Sequence, residues 1–289
     1  MNVQMSGIAP RKALEWPFRL SVGIVVLLIV ASVPGVLFPG LYHDTPAIIA
    51  SDRGSDLVTL MLFVPALAVS VFYSARGSLR GQMVWLGLVS FVLYNYVVYS
   101  FGISFTPLFL VHVALVSLSV FTLVMVIRKA DTGALAGQFS ASMPRRVVAA
   151  VLIVMAAMFS ILWLSDVLPA IIGGGIPARL NDLHATSNPV EVNDLAVIIP
   201  MLLLAALWTW QRRAVGYVMA GVLFAVATAT MTALIPGGPL FGRTALDPTS
   251  AGIAALSLAL LLLVVSRAQP QQVGASRVAR IGDDRPRSI

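Results

Sequence analysis

Eight sustained apolar runs alternate with short polar stretches along the chain, near residues 18–41, 57–75, 82–101, 105–127, 147–170, 195–211, 214–235 and 250–266. Each approaches the roughly 20 residues that an α-helix needs to cross about 30 Å of hydrocarbon. In lipid, only helices and closed barrels satisfy their own backbone, and a barrel would alternate polarity over segments of about ten residues. That alternation is not seen, so the pattern predicts an all-α polytopic membrane protein, a bundle of eight transmembrane helices. The first run follows Arg11, Lys12 and Arg19 and could be taken for a secretory signal. It is longer than the usual apolar core of about 7–15 residues and lacks an A-x-A-like site, so it is expected to be an uncleaved helix.

Charge then orients the bundle. The chain has 58% hydrophobic and 11% charged residues, against about 25% charged in soluble domains. Of its 19 Lys and Arg residues, 16 fall before span one, between spans two and three, four and five, or six and seven, or in the C-terminal tail. Only Arg53, Arg179 and Arg243 fall on the other side, and most acidic residues lie with them. The positive-inside rule therefore predicts that both termini are cytoplasmic. The dominance of Arg over Lys, 17 to 2, fits a GC-rich bacterial genome and hence a bacterial inner membrane. This topology accounts for the net charge of +7, and nucleic-acid binding is not expected.

The organisation expected is a cytoplasmic segment 1–17, a first four-helix unit 18–127, a cytoplasmic linker 128–146, a second unit 147–266 and a disordered cytoplasmic tail 267–289. In both halves a helix ends in Pro and Gly, a polar loop follows, and the next helix opens with Asp-Leu at Asp56 and Asp194 before meeting Pro65 or Pro200. These matches suggest two parallel four-helix repeats, although nine positions separate Asp56 from Pro65 and six separate Asp194 from Pro200. Small-residue ladders at Gly221, Ala225 and Ala229 and at Ala251, Ala255 and Ala259 are expected to let backbones approach.

The candidate chemistry lies in polar residues within apolar runs. Tyr94-Asn95-Tyr96-Val97-Val98-Tyr99-Ser100 has two helical faces: Asn95 and Tyr99 share one, and Tyr94 points away. The bland reading makes the tyrosines interfacial anchors and Asn95 a helix-to-helix hydrogen bond. The functional reading joins Asn95 and Tyr99 with His112 and Asp166, placed at a similar depth, into an outward-facing polar pocket, with Thr228 and Thr232 nearby. Asp56 and Asp194 are expected to cap helix N-termini, and Pro65 and Pro200 to kink or gate. His43 with Asp44 and His184 with Asp182 lack a metal-ligand spacing, so no metal is assigned.

Several classes are excluded. With no cysteine, thiol chemistry and cysteine metal sites are absent. The only lysines, Lys12 and Lys129, lie at the membrane boundary, which rules out a retinal Schiff base. A single intramembrane histidine argues against bis-histidine haem, and no phosphate loop or nucleophile elbow is present. The expectation is a non-enzymatic protein, without cofactor, that lies among membrane lipids and binds or transports a small or lipid-like ligand. The alternatives are an intramembrane lipid hydrolase using an Asp166/His112 pair and a structural subunit with a membrane-protein partner.

Overall fold

The computed structural model describes residues 7–9, 11–135, 138–139, 142–183, 186–235 and 248–268. The tail beyond residue 268, His184, Arg243 and Asp247 lie outside the described residues. Among those described, the chain forms helices α1 (Glu15–Leu37), α2 (Pro46–Val58), α3 (Val64–Ala75), α4 (Leu79–Gly102), α5 (Phe109–Lys129), α6 (Thr132–Leu135), α7 (Arg145–Gly173), α8 (Ala178–Leu183), α9 (Pro189–Asn193), α10 (Ile199–Trp210), α11 (Ala214–Leu234) and α12 (Pro248–Arg267). Seven continuous helical stretches are long and apolar enough to cross a membrane, with α2–α3 and α9–α10 each counting as one. In α12 the apolar stretch Ala251–Arg267 falls short of that length. The protein is thus an all-α, multi-pass integral membrane protein.

The largest departure from the expected spans is at α2. Its polar residues were expected to form a loop before a helix opening at Asp56, but the helix begins at Pro46, with Thr45 extended as the preceding residue. Proline suits a first helical turn, where its missing N–H would go unbonded anyway. Asp52, Ser55 and Asp56 are buried against the bundle, so α2 turns its polar face inward. Asp56 is therefore no N-cap. Asp194 is not one either: Asn188 caps α9, its side chain accepting from Val190 N at 3.1 Å and Glu191 N at 3.4 Å, and Asp194 lies five residues past Pro189.

Between α2 and α3, and again between α9 and α10, the helix passes through a π-helical turn, Thr59–Phe63 and Asp194–Ile198. Pro65 and Pro200 each follow as the second residue of the next α-helix. The widened turn takes up the hydrogen-bond offset that an interior proline otherwise creates.

These are members of a longer series of local features that recur 135 positions apart. Pro34 and Pro169 lie inside α1 and α7. Gly77 and Arg212 both have positive φ, 82° and 61°. Ser78 N donates to Tyr73 O at 3.1 Å, and Arg213 N to Trp208 O at 2.9 Å. A Cβ on Gly81 would meet Tyr73 and Ser74, and one on Gly216 would meet Trp208 and Thr209, all at 3.0 Å or less. The register is gap-free and differs from the one the Asp-Leu pairs suggest: Asp56 corresponds to Glu191, and Asp194 to Thr59.

In the first half α5 packs on α1 and α4, and α3 packs on α4; in the second, α12 packs on α11, and α10 on α7 and α11. The halves meet chiefly where α4 crosses α11. Gly221, Ala225 and Ala229 are buried there, as their ladder predicts. The α12 ladder is different: Ala255 and Ala259 are exposed, so it mediates no close packing within the described chain. Thr228 and Thr232 donate to the carbonyls of Phe224 and Thr228, at 2.7 and 2.6 Å, along their own helix.

Candidate functional site

The inward face of α2 supplies two carboxyl groups one helical turn apart, Asp52 and Asp56, 9% and 2% exposed. Tyr42, from the α1–α2 connection, donates its hydroxyl to Asp56 Oδ2 at 2.5 Å. Burial, and next the Asp56 carboxylate, push the Tyr42 phenol well above its ordinary value, which keeps this group a donor. Space for the pair exists because position 35 is glycine: a Cβ there would lie 1.8 Å from Asp56 Oδ2 and 2.8 Å from the Tyr42 hydroxyl. Arg53, on the same turn, reaches the end of α1 and donates to Gly35 O at 3.3 Å and Val36 O at 3.0 Å. It thereby satisfies carbonyls that a helix C-terminus leaves open.

The next layer comes from α4 and α5. Tyr99 donates its hydroxyl to Asp52 O at 3.2 Å. Its ring meets Tyr96, Tyr42 and His112 at centroid distances of 5.4, 6.4 and 5.3 Å, the last two edge-on. Tyr96 also packs against His112, at 5.5 Å. All four rings are buried. The bland reading of Tyr96 and Tyr99 as interfacial anchors therefore does not hold, since neither faces lipid.

Tyr99 and His112 line a small, partly open cavity of about 130 Å³ beneath the α4–α5 connection, together with Ser100, Ser104 and Thr106. This is the end of the bundle opposite the arginine-rich one. Ser104 is held by Asp44, whose carboxylate accepts from Ser104 N at 2.9 Å and Oγ at 2.8 Å. Three buried polar atoms around the cavity and behind it have no hydrogen-bond partner among the described residues: His112 Nε2, Thr106 Oγ1 and Asp52 Oδ2. Buried polar atoms are nearly always satisfied, so each of these three calls for a partner.

Of the four residues expected to form one pocket, the structure brings together Tyr99 and His112. Asn95, one turn before Tyr99, is half-buried and lines neither this cavity nor the larger one described below. Asp166 belongs to a second cluster. Helix α7 continues to Gly173, and Asp166 Oδ1 accepts from Ala178 N at 3.2 Å. Both Asp166 and the guanidinium of Arg179 act electrostatically on Glu191, and Arg179 stacks 5.0 Å over the Trp163 ring. The Asp166/His112 pair needed for a lipid hydrolase is therefore not formed. Asp194 accepts from Tyr94 at 3.0 Å and from Trp163 Nε1 at 2.9 Å, tying α4 to α7 and the second π turn.

A second, larger cavity of about 740 Å³ runs between the two halves, from Tyr94 and Asn193 to Ile8, Thr132 and Leu135 at the arginine-rich end. Apart from a few polar groups its lining is aliphatic. The floor is fixed by Asp131 N donating to Ile8 O at 2.9 Å and by Ile8 N donating to Gln82 Oε1.

Tyr42, Asp52 and Tyr96 escape the sequence reading, as does the site role of Asp56. The available signal was Thr45-Pro46, a residue pair that commonly opens a helix. Starting the helix there puts Asp52 and Asp56 on one face. No protein-family model matches the chain, and comparison with curated proteins and with solved structures returns no match, so the site is read from its own geometry.

Proposed function

We propose that this protein binds or moves a small ligand through an outward-facing site in the first of two duplicated four-helix units, with the arginine-rich end in the cytoplasm of a bacterial cell. The observation that carries the reading is the buried, unsatisfied polar set at the cavity: His112 Nε2, Thr106 Oγ1 and, behind Tyr99, Asp52 Oδ2. A ligand that supplied their partners would recover the cost of burying them, about 1–3 kcal/mol per group. Tyr99 and His112 would contact it first, with Asp52 and Asp56 behind. The gap-free recurrence at 135 positions supports the duplication, and internal repeats are a feature of many transporter folds.

The experiment is native mass spectrometry of the detergent-purified chain, wild type beside His112→Leu. A bound small molecule on the wild type, reduced at least about tenfold in the variant, is the expected result. Equal retention by both would move the ligand away from this cavity.

The aliphatic cleft favours a second reading, in which the ligand is lipid-like. A phospholipid with a photoactivatable acyl chain should then label Met201 and Met219, which line the cleft, beyond Met61, which is 71% exposed on the outer surface. Labelling confined to Met61 and other outer residues would remove that reading.

A further inference from the structure

The large cleft is not an unavoidable product of the way the two halves meet. At the positions 135 residues away the corresponding space is filled. Phe63 and Phe91 pack there with ring centroids 4.6 Å apart, where the cleft has Ile198 and Val226, and Met83 lies against Gly221, where the cleft has Val218 and Leu86. Two phenylalanines and a methionine are thus replaced by smaller aliphatic side chains on the cleft side. The space left, about 740 Å³, is roughly five times the apolar cavity of about 150 Å³ that holds a benzene molecule, and its lining forfeits contacts unless something apolar fills it.

The cleft opens sideways. Ile127 on α5 and Val197 and Met201 on α10 line it and are also exposed on the outer surface, so the opening lies between those two helices and faces lipid. Along α11 the lining runs from Val215, the second residue of that helix, to Val226. At 1.5 Å per residue this is roughly 16 Å, about half of the 30 Å of hydrocarbon in a bilayer. The cleft is therefore one leaflet deep, and the leaflet is the one at the arginine-rich end.

Charge at the same opening selects the kind of lipid. On the α5 wall Arg128 and Lys129 stand between the lining residues Ile127 and Ala130, and on the α10 wall Arg212 and Arg213 stand between Trp208 and Val215. The turn that ends α10, in which Arg213 N donates to Trp208 O at 2.9 Å, keeps the second pair close to the cleft. All four cations are exposed, and Asp131 is the only acid in the stretches 127–132 and 208–215. A positive-inside bias places cations anywhere along this end of a bundle. Here two pairs stand on the two walls of one opening.

We propose that the cleft seats one acyl chain of an anionic phospholipid from that leaflet, with the headgroup held between Arg128 and Lys129 on one wall and Arg212 and Arg213 on the other. This rests on the lipid-like reading of the cleft and adds the charge of the headgroup and the leaflet it comes from. A zwitterionic lipid offers the same phosphate but carries its own cation, which the four basic side chains repel.

The test uses the full chain in phosphatidylcholine nanodiscs that carry a trace of phosphatidylglycerol or phosphatidylcholine with the same photoactivatable acyl chain. Mass spectrometry reads labelling at Met201 and Met219 relative to Met61. Phosphatidylglycerol is expected to label the two cleft methionines at least about fivefold more than phosphatidylcholine does. That excess should disappear in the double variant Arg212→Gln/Arg213→Gln. It should persist in Arg76→Gln, which removes a cation from the same end of the bundle, where its guanidinium stacks 3.9 Å over the Phe72 ring. Should the double variant fail to fold, Arg128→Gln/Lys129→Gln serves in its place, with the same loss expected. Ile198→Phe with Val226→Phe copies the pair that fills the corresponding space and should abolish cleft labelling by either lipid. Equal labelling by the two lipids, an excess that survives the double variants, or one that Arg76→Gln also removes would overturn the headgroup assignment and leave a lipid-like ligand in the cleft. Cleft labelling that survives the two phenylalanines would overturn the seating of the chain. Labelling confined to Met61 with both probes would remove the lipid-like reading itself.

Discussion

Gly35→Ala is expected to abolish ligand binding at the first-unit site and to lower stability by about 1–3 kcal/mol, the usual range for overpacking. The added methyl would lie 1.8 Å from Asp56 Oδ2 and 2.7 Å from its Cγ, far inside van der Waals contact. Asp56 has a short side chain on an ordered helix, and its carboxylate is held by the Tyr42 hydroxyl at 2.5 Å. Relief requires either breaking that bond or separating α2 from α1, and separation would also strip Arg53 from Gly35 O and Val36 O. Either way the acidic set loses its arrangement behind Tyr99. A second substitution distinguishes strain from function. Adding Asp56→Ala removes the closest clashing atoms and releases the Tyr42 hydroxyl, 2.8 Å from the added Cβ, to move aside, so the double variant should regain part of the stability and none of the binding. Thermal unfolding and ligand retention across the four proteins of this cycle check both statements. Wild-type binding by Gly35→Ala would show that the Tyr42–Asp56 pair has no part in the site.

The course of the helices was legible in the sequence because apolar length is a local property. Seven stretches recur within a few residues of their expected places, except where a helix begins on polar residues. Pro46–Asp56 reads as a loop by hydropathy because it contains Ser51, Asp52, Arg53, Ser55 and Asp56. Its carboxylates and Ser55 point into the bundle. A hydropathy window cannot distinguish a polar segment that faces water from one that faces protein. The same inversion hid the start of α9.

The site was legible in part. Tyr99 and His112 meet as their similar depth on adjoining helices suggested, since α4 and α5 are joined by a short connection and must pack as a hairpin. Asp166 was grouped with them by expected depth but lies in the other half, beside Ala178 and Glu191, and depth alone does not say which neighbour a residue faces. Tyr42 reaches Asp56 from a connecting segment, through a contact that no periodicity encodes. The recurrence was visible in Pro65 and Pro200, but its register was set from the Asp-Leu pairs. Pro34 with Pro169 and Gly81 with Gly216 share the 135-residue spacing, because close packing and helix geometry constrain those positions more tightly than a polar residue at a helix start.

Gly87→Leu is expected to have the largest effect on the fold, through the crossing of α4 and α11 that joins the two units. A Cβ on Gly87 would lie 2.3 Å from the Ala225 Cβ and 3.3 Å from the Val222 carbonyl oxygen. Neither atom can retreat by rotating a side chain, so the helices must part. Without a hydrophobic driving force between helices in lipid, close backbone approach supplies much of the attraction, and parting them forfeits it along the whole crossing. A loss of about 3 kcal/mol or more, or failure to accumulate in the membrane, is the expected outcome. Gly221 lies on the same interface and provides the control. Its added Cβ would meet Met83 Cε at 2.3 Å, the far end of a flexible thioether that can swing aside. Gly221→Ala should therefore cost less than Gly87→Ala, and Ala225→Gly should partly rescue Gly87→Ala while leaving Gly221→Ala unchanged. Apparent unfolding temperatures in one detergent give the order. If the two alanine variants are equally stable, the units are not locked at this crossing, and the cleft between them could then widen without disturbing it.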